Sequence, residues 1–421
     1  MSIKVAVIGG GSTYTPELVS GLSSERERLD VGELWLLDPD AERRAVVGGL
    51  AKRMLDAQGF TGRLEVTDEL DRALNGADVI LLQLRVGGQA ARLADETTPL
   101  RCGCIGQETT GAGGFAKAMR TVPVVLEIAE RVSELAASDA WIVDFTNPVG
   151  IVVRALLDAG HRAIGLCNVA IGFEREIAAI YDVAPARVTV DQVGLNHLTW
   201  IRRVLVDGND VLPEILERHA ERLRGQTGLP VELMRLLGAL PSYYLRYYYM
   251  HDLVREEQQH ETPRAEVVAE IERELLTLYR DPSLSTKPAA LERRGGAFYS
   301  EAATQLVGSL IADTGDVQVV DVRAQGALPG FAEDDVVELP ARVTREGAEP
   351  LVQSPLTPEM LGLARHVAAY ERLTASAAVT RDRDTMRRAL LAHPLIGQFP
   401  RSDEVLELLE QAERKRVEVT R

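Results

Sequence analysis

The chain has 421 residues, enough for two domains, since single hydrophobic cores stop growing near roughly 250–300 residues. Its 46% hydrophobic and 26% charged residues are those of an ordinary globular protein. A formal net charge of −16 excludes a general nucleic-acid binder, which needs a basic face to replace counterions, yet it allows an anionic small ligand held by a few local arginines.

Residues 3–8 are a β-branched run ending in Gly9-Gly10-Gly11-Ser12, and a helical pattern follows at Pro16, Leu18, Val19 and Leu22. Residues 33–38 predict a second strand, 41–58 a helix and 64–67 a third strand. Residues 77–83 predict a buried strand by their continuous apolar character, 122–137 a helix, and 140–145 and 162–166 two further strands. Strands alternating with helices imply right-handed crossovers and a parallel sheet. After Cys167 the pattern changes. Residues 188–193 and 200–206 predict antiparallel strands flanking His197. Helices are predicted over 212–224, 231–249, 264–279 and 302–311, a strand over 317–322, and mostly helix from 356 onward. The expected fold class is α/β: a Rossmann-like NAD-binding domain over 1–166, then a mainly helical α+β domain over 167–421 for metal and substrate.

No apolar run reaches the ~18 residues of a membrane span, and no charged segment precedes a long apolar stretch at the start, so neither span nor signal peptide is expected. The three cysteines, Cys102, Cys104 and Cys167, make no disulfide framework, and a reducing cytoplasm is the expected compartment.

A nucleotide pyrophosphate needs close backbone approach and free N–H groups at a helix start. Gly9, Gly10, Gly11 and Ser12 supply both, although Tyr14 takes the third glycine position of the full motif. Asp38, ending the second strand, suits the ribose hydroxyls of NAD rather than NADP. On residues alone, the turn also fits an ordinary tight turn and Asp38 a loop cap. Cys167 and His197, each beside an amide side chain (Asn168 and Asn196), suit a divalent first-row metal ion. Taken alone they fit a buried thiol and a core histidine more readily. Cys102 and Cys104, with no second pair, read as packing residues.

Ordered stretches along nearly the whole chain carry a more specific resemblance. They include Gly9-Gly10-Gly11-Ser12 with Tyr14 and Pro16; Gln83-Leu84-Arg85-Val86-Gly87-Gly88 with Arg92, Asp95 and Glu96; and Gly106-Gln107-Glu108-Thr109-Thr110-Gly111. Further on come Phe145-Thr146-Asn147-Pro148, Cys167-Asn168-Val169, Gly194-Leu195-Asn196-His197-Leu198, Tyr244-Leu245-Arg246, Arg294 with Tyr299-Ser300, and His393-Pro394-Leu395. The chain resembles family 4 of the glycoside hydrolases, the NAD- and divalent-metal-dependent glycosidases that stand outside the two-carboxylate rule.

The resemblance implies a lactate/malate dehydrogenase-like architecture, NAD and Mn²⁺ or another divalent ion as cofactors, and a homodimer or homotetramer. It makes Cys167 and His197 the metal ligands and Tyr244 the catalytic base. It places Arg92, Asn147, Asn168 and Arg294 on the sugar or its 6-phosphate. The expected substrate is a phosphorylated disaccharide or aryl 6-phosphoglucoside, with neither nucleic acid nor membrane as a partner. The implied route is oxidation at C3, deprotonation at C2, elimination of the aglycone, addition of water and re-reduction. Members acting on α-linked substrates carry Asp after the metal cysteine, whereas 6-phospho-β-glucosidases carry Asn, so Asn168 points to the β-linked class. Ala170, where that class often has Pro, departs from it. The alternatives are a 6-phospho-α-glucosidase or α-galactosidase of the same family, a lactate/malate-type NAD-dependent dehydrogenase, and a non-catalytic NAD-binding relative.

Overall fold

A computed structural model describes residues 2–25, 28–295 and 298–420. Its strands are β1 (Ile3–Ile8), β2 (Val31–Leu37), β3 (Arg63–Thr67), β4 (Val79–Leu82), β5 (Trp141–Asp144), β6 (Ala163–Gly165), β7 (Val188–Leu195), β8 (Leu198–Val206), β9 (Asn209–Asp210), β10 (Leu240–Pro241), β11 (Asp316–Arg323), β12 (Val336–Thr344) and β13 (Gly347–Pro350). The first six lie parallel in the order 3-2-1-4-5-6. That is the strand order of a dinucleotide-binding unit, with its ligand crevice beyond the carboxyl ends of the strands. β1 and β4 are almost wholly apolar and buried, as central parallel strands covered on both faces must be.

The parallel sheet does not end at β6. Gly165 pairs with Asp321 of β11, Asp321 with Glu338 of β12, and Glu338 with Gly194 of β7. The sheet thus passes through antiparallel strands into the β7–β8 hairpin. One apolar core runs through both halves, from Val7 and Leu81 to Leu306, Leu339 and Tyr370. A second packs Phe173, Leu223 and Met234 beneath the hairpin. Among the described residues, no helix is long and apolar enough to cross a membrane.

The helix predicted over 264–279 is present as Arg264–Tyr279. The two predicted over 212–224 and 231–249 are broken. The first becomes short α, π and 3₁₀ turns, and the second stops at Leu237. Gly238, at φ 62°, reverses the chain there, Leu240–Pro241 joins β8, and a 3₁₀ turn Tyr243–Leu245 follows. Periodicity alone did not reveal that break, which delivers Tyr244 to the site. The helix predicted over 122–137 begins earlier, at Gly111. Its glycines conceal it: a Cβ at Gly113 would lie 2.3 Å from the Gln107 carbonyl and 2.4 Å from that of Asp95. Close packing there excludes any side chain, so the apolar pattern is missing. Helices Gly88–Thr97 and Val169–Tyr181 and strands β12 and β13 were not foreseen either. Pro340 sits inside β12, where a proline argues against a strand, although it pairs with Val319.

Candidate active site

The predicted cofactor residues come together where β1 and β2 end. Gly9 is left-handed at φ 91°, and a Cβ on Gly10 would lie 2.7 Å from that of Leu36. At Gly11 an added Cβ would meet the Asp38 carboxylate at 2.6 Å, and the Gly11 N–H donates to Asp38 Oδ2 at 3.0 Å. Gln83 Nε2 ties the turn to β4 by donating to the Gly9 carbonyl at 3.0 Å and to Thr15 Oγ1 at 2.9 Å. Ser12 Oγ accepts from the Tyr14 N–H at 3.2 Å, and helix Thr15–Ser24 starts directly after it. A side-chain-free turn running into a helix start fits a dinucleotide pyrophosphate.

A second cluster forms around the turn between β7 and β8. Asn196 and His197 make that turn, and His197 has φ 62°, a left-handed conformation that costs about 1–3 kcal/mol for a non-glycine residue. The Asn196 amide donates to Glu338 Oε2 at 2.9 Å and to Asp321 Oδ2 at 3.3 Å, which holds the turn to the sheet. The His197 ring stacks on Tyr244, with centroids 3.5 Å apart and planes 9° from parallel. Burial pushes the His197 imidazole down to about 3, so it is neutral near pH 7. Its Nδ1 lies 3.0 Å from Thr109 Oγ1, and its buried Nε2 has no hydrogen-bond partner among the described residues.

Cys167, just past β6, is fully buried, and burial together with Glu338 and Asp321 pushes its thiol up. Its thiol faces Asn168 Oδ1 at 3.9 Å, while neighbouring Tyr299 stacks on Phe145 and meets Tyr14 edge-on. Burial, reinforced by Cys167, Tyr247 and Glu108, also pushes the Tyr244 phenol well above its ordinary range, and Arg92 opposes this. Both groups are therefore protonated and neutral unless a cation binds beside them. The unpaired His197 Nε2 and the thiol are a fitting donor set for a divalent first-row ion. Among the described residues no group of three or more His, Cys, Asp and Glu side chains is placed to hold a metal ion.

Tyr244, Arg92 and Asn168 line one cavity of about 590 Å³, together with Tyr247, Arg246 and Arg264. Arg92 on helix Gly88–Thr97 is held by Glu96 at 2.7 Å and Glu108 at 3.1 Å. Burial alone would raise the Glu108 carboxyl, but Arg85, Lys117 and Arg92 around it hold it well below its ordinary range. This network carries positive charge beside the cavity while Glu96 accepts from the Ala265 N–H at 2.7 Å, fixing the helix that starts with Arg264. Asn147, at the Asn147–Pro148 junction beyond β5, does not line the cavity, although its buried Oδ1 has no partner among the described residues.

Arg294 is placed differently from the sequence expectation. Its guanidinium donates to Thr13 Oγ1 at 2.7 Å and pairs with Glu272 at 3.3 Å, on the cofactor turn and outside the cavity lining. The buried Glu272 carboxylate, which also binds Arg43 at 3.1 Å, draws it there. Arg264 takes a place in the cavity wall that sequence reading missed. The available signal was the predicted helix start at residue 264. Glu108, Thr109, Asn196 and Tyr299 lay inside matched stretches but had no assigned task. Cys102 and Cys104 are free thiols that pack together, as expected.

Residues 4–183 match the Family 4 glycosyl hydrolase pattern, and residues 192–396 match the Family 4 glycosyl hydrolase C-terminal domain. The chain is 40% identical to the probable 6-phospho-beta-glucosidase of Bacillus subtilis (strain 168), over 97% of this chain and 96% of that protein. It superposes with a TM-score of 0.92 on a 6-phospho-beta glucosidase from Thermotoga maritima solved with manganese, NAD+ and glucose-6-phosphate. The two are 35% identical, and the match covers 98% of each chain. Lactate dehydrogenase from Eimeria maxima, 14% identical, shares the fold alone, with a TM-score of 0.57 over 90% of this chain and 96% of that one. The expected dehydrogenase-like architecture is thus present, and the chain belongs to family 4 of the glycosyl hydrolases.

Proposed function

We infer that the protein is an NAD- and divalent-metal-dependent 6-phospho-β-glucosidase. The observation that carries this reading is the stacking of Tyr244 on His197, close to Cys167, with Tyr244 itself in the wall of a cavity that Arg92 and Asn168 also line. Gly9, Gly10, Gly11, Ser12 and Asp38 hold NAD, and Cys167 and His197 hold the metal ion, with manganese the ion in the Thermotoga maritima structure. When bound, NAD takes and returns hydride at C3 of the sugar while the metal ion polarises the oxygen there as a Lewis acid.

Tyr244 Oη removes the proton at C2, which releases the aglycone oxygen from C1, and water then adds at C1. A phenol pushed up by burial works as a base only where positive charge lowers it, and Arg92 supplies part of that charge. Arg92 and Arg264 bind the 6-phosphate, a task for which the planar guanidinium fork is suited. Asn168 hydrogen-bonds the sugar but cannot protonate a leaving oxygen, which favours β-linked substrates. Asn147, whose buried Oδ1 has no partner among the described residues, is the proposed sugar contact at the end of β5, outside the cavity wall itself. Arg294 is better read as support for Thr13 of the cofactor turn. The halves meet at Cys167, and we retain residues 1–166 as the cofactor unit and 167–421 as the metal and substrate unit. A phosphorylated substrate suits a cytoplasmic enzyme, and a homodimer or homotetramer is the proposed assembly.

The test is hydrolysis of nitrophenyl glycosides with and without 6-phosphate, in both anomers, by protein supplied with NAD+ and Mn²⁺. Preference for the phosphorylated β-glucoside supports the reading. Preference for an α-anomer would move the protein to the other class, and net accumulation of NADH would make it a dehydrogenase.

A further inference from the structure

His197 Nδ1 lies 3.0 Å from Thr109 Oγ1, and that hydroxyl lies 3.2 Å from Gln107 Oε1. The Thr109 backbone N–H donates to the same Gln107 oxygen at 2.8 Å. A backbone N–H can only donate, so the Gln107 atom facing it is the carbonyl oxygen, an acceptor. The other end of that amide, Nε2, donates to Tyr247 Oη at 3.2 Å.

With Gln107 Oε1 fixed as an acceptor, one arrangement uses every proton. The Thr109 hydroxyl donates to Gln107, and its remaining lone pair accepts the Nδ1–H of His197. The reverse arrangement puts two oxygens in contact with no hydrogen between them and buries an Nε2–H with no acceptor. In the first arrangement Nε2 carries a lone pair and no proton, and that buried nitrogen has no partner among the described residues.

We propose that Thr109 and Gln107 are positioning residues that lock His197 in its Nδ1–H tautomer and so present Nε2 to the metal ion. The proposal rests on the reading of His197 as a metal ligand. It follows the general arrangement in which the second nitrogen of a ligating histidine is held by an outer partner. It adds a link to the substrate cavity, because Gln107 and Tyr247 both line that wall.

The experiment is calorimetric titration of Mn²⁺ into the full chain loaded with NAD+, for wild type, Thr109→Val, Thr109→Ser, Gln107→Leu, Gln107→Glu and Cys167→Ser. Thr109→Val, nearly isosteric, should weaken Mn²⁺ binding roughly 10–100-fold, and Thr109→Ser should restore it. Gln107→Leu should weaken it in the same direction, whereas Gln107→Glu, which keeps an acceptor, should not. ¹⁵N spectra of histidine-labelled, metal-free protein should show His197 protonated at Nδ1 in wild type and no longer uniquely so in Thr109→Val. Wild-type affinity in both Thr109→Val and Gln107→Leu, with Cys167→Ser impaired, overturns the proposal and leaves the metal ligands standing. Equal Mn²⁺ binding by wild type and Cys167→Ser overturns the ligand assignment and the proposal with it. If Thr109→Val fails to fold, the opposed pair at Gln107 decides alone.

Discussion

Tyr244 and His197 lie face to face, 3.5 Å between ring centroids and 9° from parallel. The contact joins the proposed base to the proposed metal ligand by packing rather than by a hydrogen bond, so either function can be removed while the stack is kept. Tyr244→Phe preserves the ring and deletes only the hydroxyl. Turnover should fall by ~10²–10⁴-fold, the range for losing a positioned general base, while Mn²⁺ affinity stays near wild type. Steady-state kinetics and a metal titration check both halves. Unchanged turnover would remove Tyr244 from the base role.

Cys167→Ser replaces the buried thiol with a poorer ligand of nearly the same shape. Mn²⁺ binding should weaken by at least the roughly 10–100-fold that an outer-shell partner alone is worth, and activity should require correspondingly more metal. NAD binding, proposed for the turn at Gly9 to Ser12, should change little. Equilibrium titrations of the two cofactors on the same preparation separate these outcomes.

Asn168 follows Cys167 directly and lines the cavity. Asn168→Asp introduces a group that can protonate a leaving oxygen. Hydrolysis of 6-phospho-α-glucosides should rise relative to the β-anomers, with a ceiling at the ~10²–10⁴-fold that general acid catalysis contributes. The ratio of kcat/KM for the two anomers is the measurement. An unchanged ratio would show that residue 168 does not set the anomer.

Glu371 on helix Pro358–Thr380 is fully buried, and burial pushes its carboxyl from the ordinary 4.5 up to about 8, with Arg154 opposing. Because the folded value lies above the unfolded one, the folded state holds the proton more tightly. Its stabilising contribution is fully present below about pH 4.5 and is lost as pH rises through about 8. Across that window this group lowers stability by at most ~1.4 kcal/mol per pH unit. Glu371→Gln should therefore flatten the decline of Tm between acid and mildly alkaline pH, read from thermal melts. An unaltered pH profile would mean that the side chain ionises freely.

Much of the cofactor half was legible in the sequence, because buried central strands such as β1 and β4 are apolar runs and the turn after β1 must lack side chains, whereas β3, RLEVT, is only partly buried and carries no such run. Cys167, His197 and Tyr244 were legible through motif resemblance, and the structure brings them together. What stayed hidden depends on contacts distant in sequence. Arg294 looked like a cavity arginine until Glu272 drew it to Thr13. Arg264 looked like a helix start until Glu96 fixed that end beside the cavity. The Asn196 clamp on Asp321 and Glu338 needs three strands to be paired before it exists. Close packing at Gly113 and Gly114 leaves no room for the side chains that would mark a helix start, and Pro340 conceals β12 because a proline argues against a strand.

In the proposed reaction the glycosidic bond is broken by elimination after Tyr244 removes the proton at C2. This step is tested most directly by turning over a 6-phospho-β-glucoside deuterated at C2, in ordinary water, with NAD+ and Mn²⁺ present, and analysing the recovered sugar by mass spectrometry. The label should exchange with solvent or slow turnover. Complete retention of deuterium at C2 with no effect on rate would contradict the elimination.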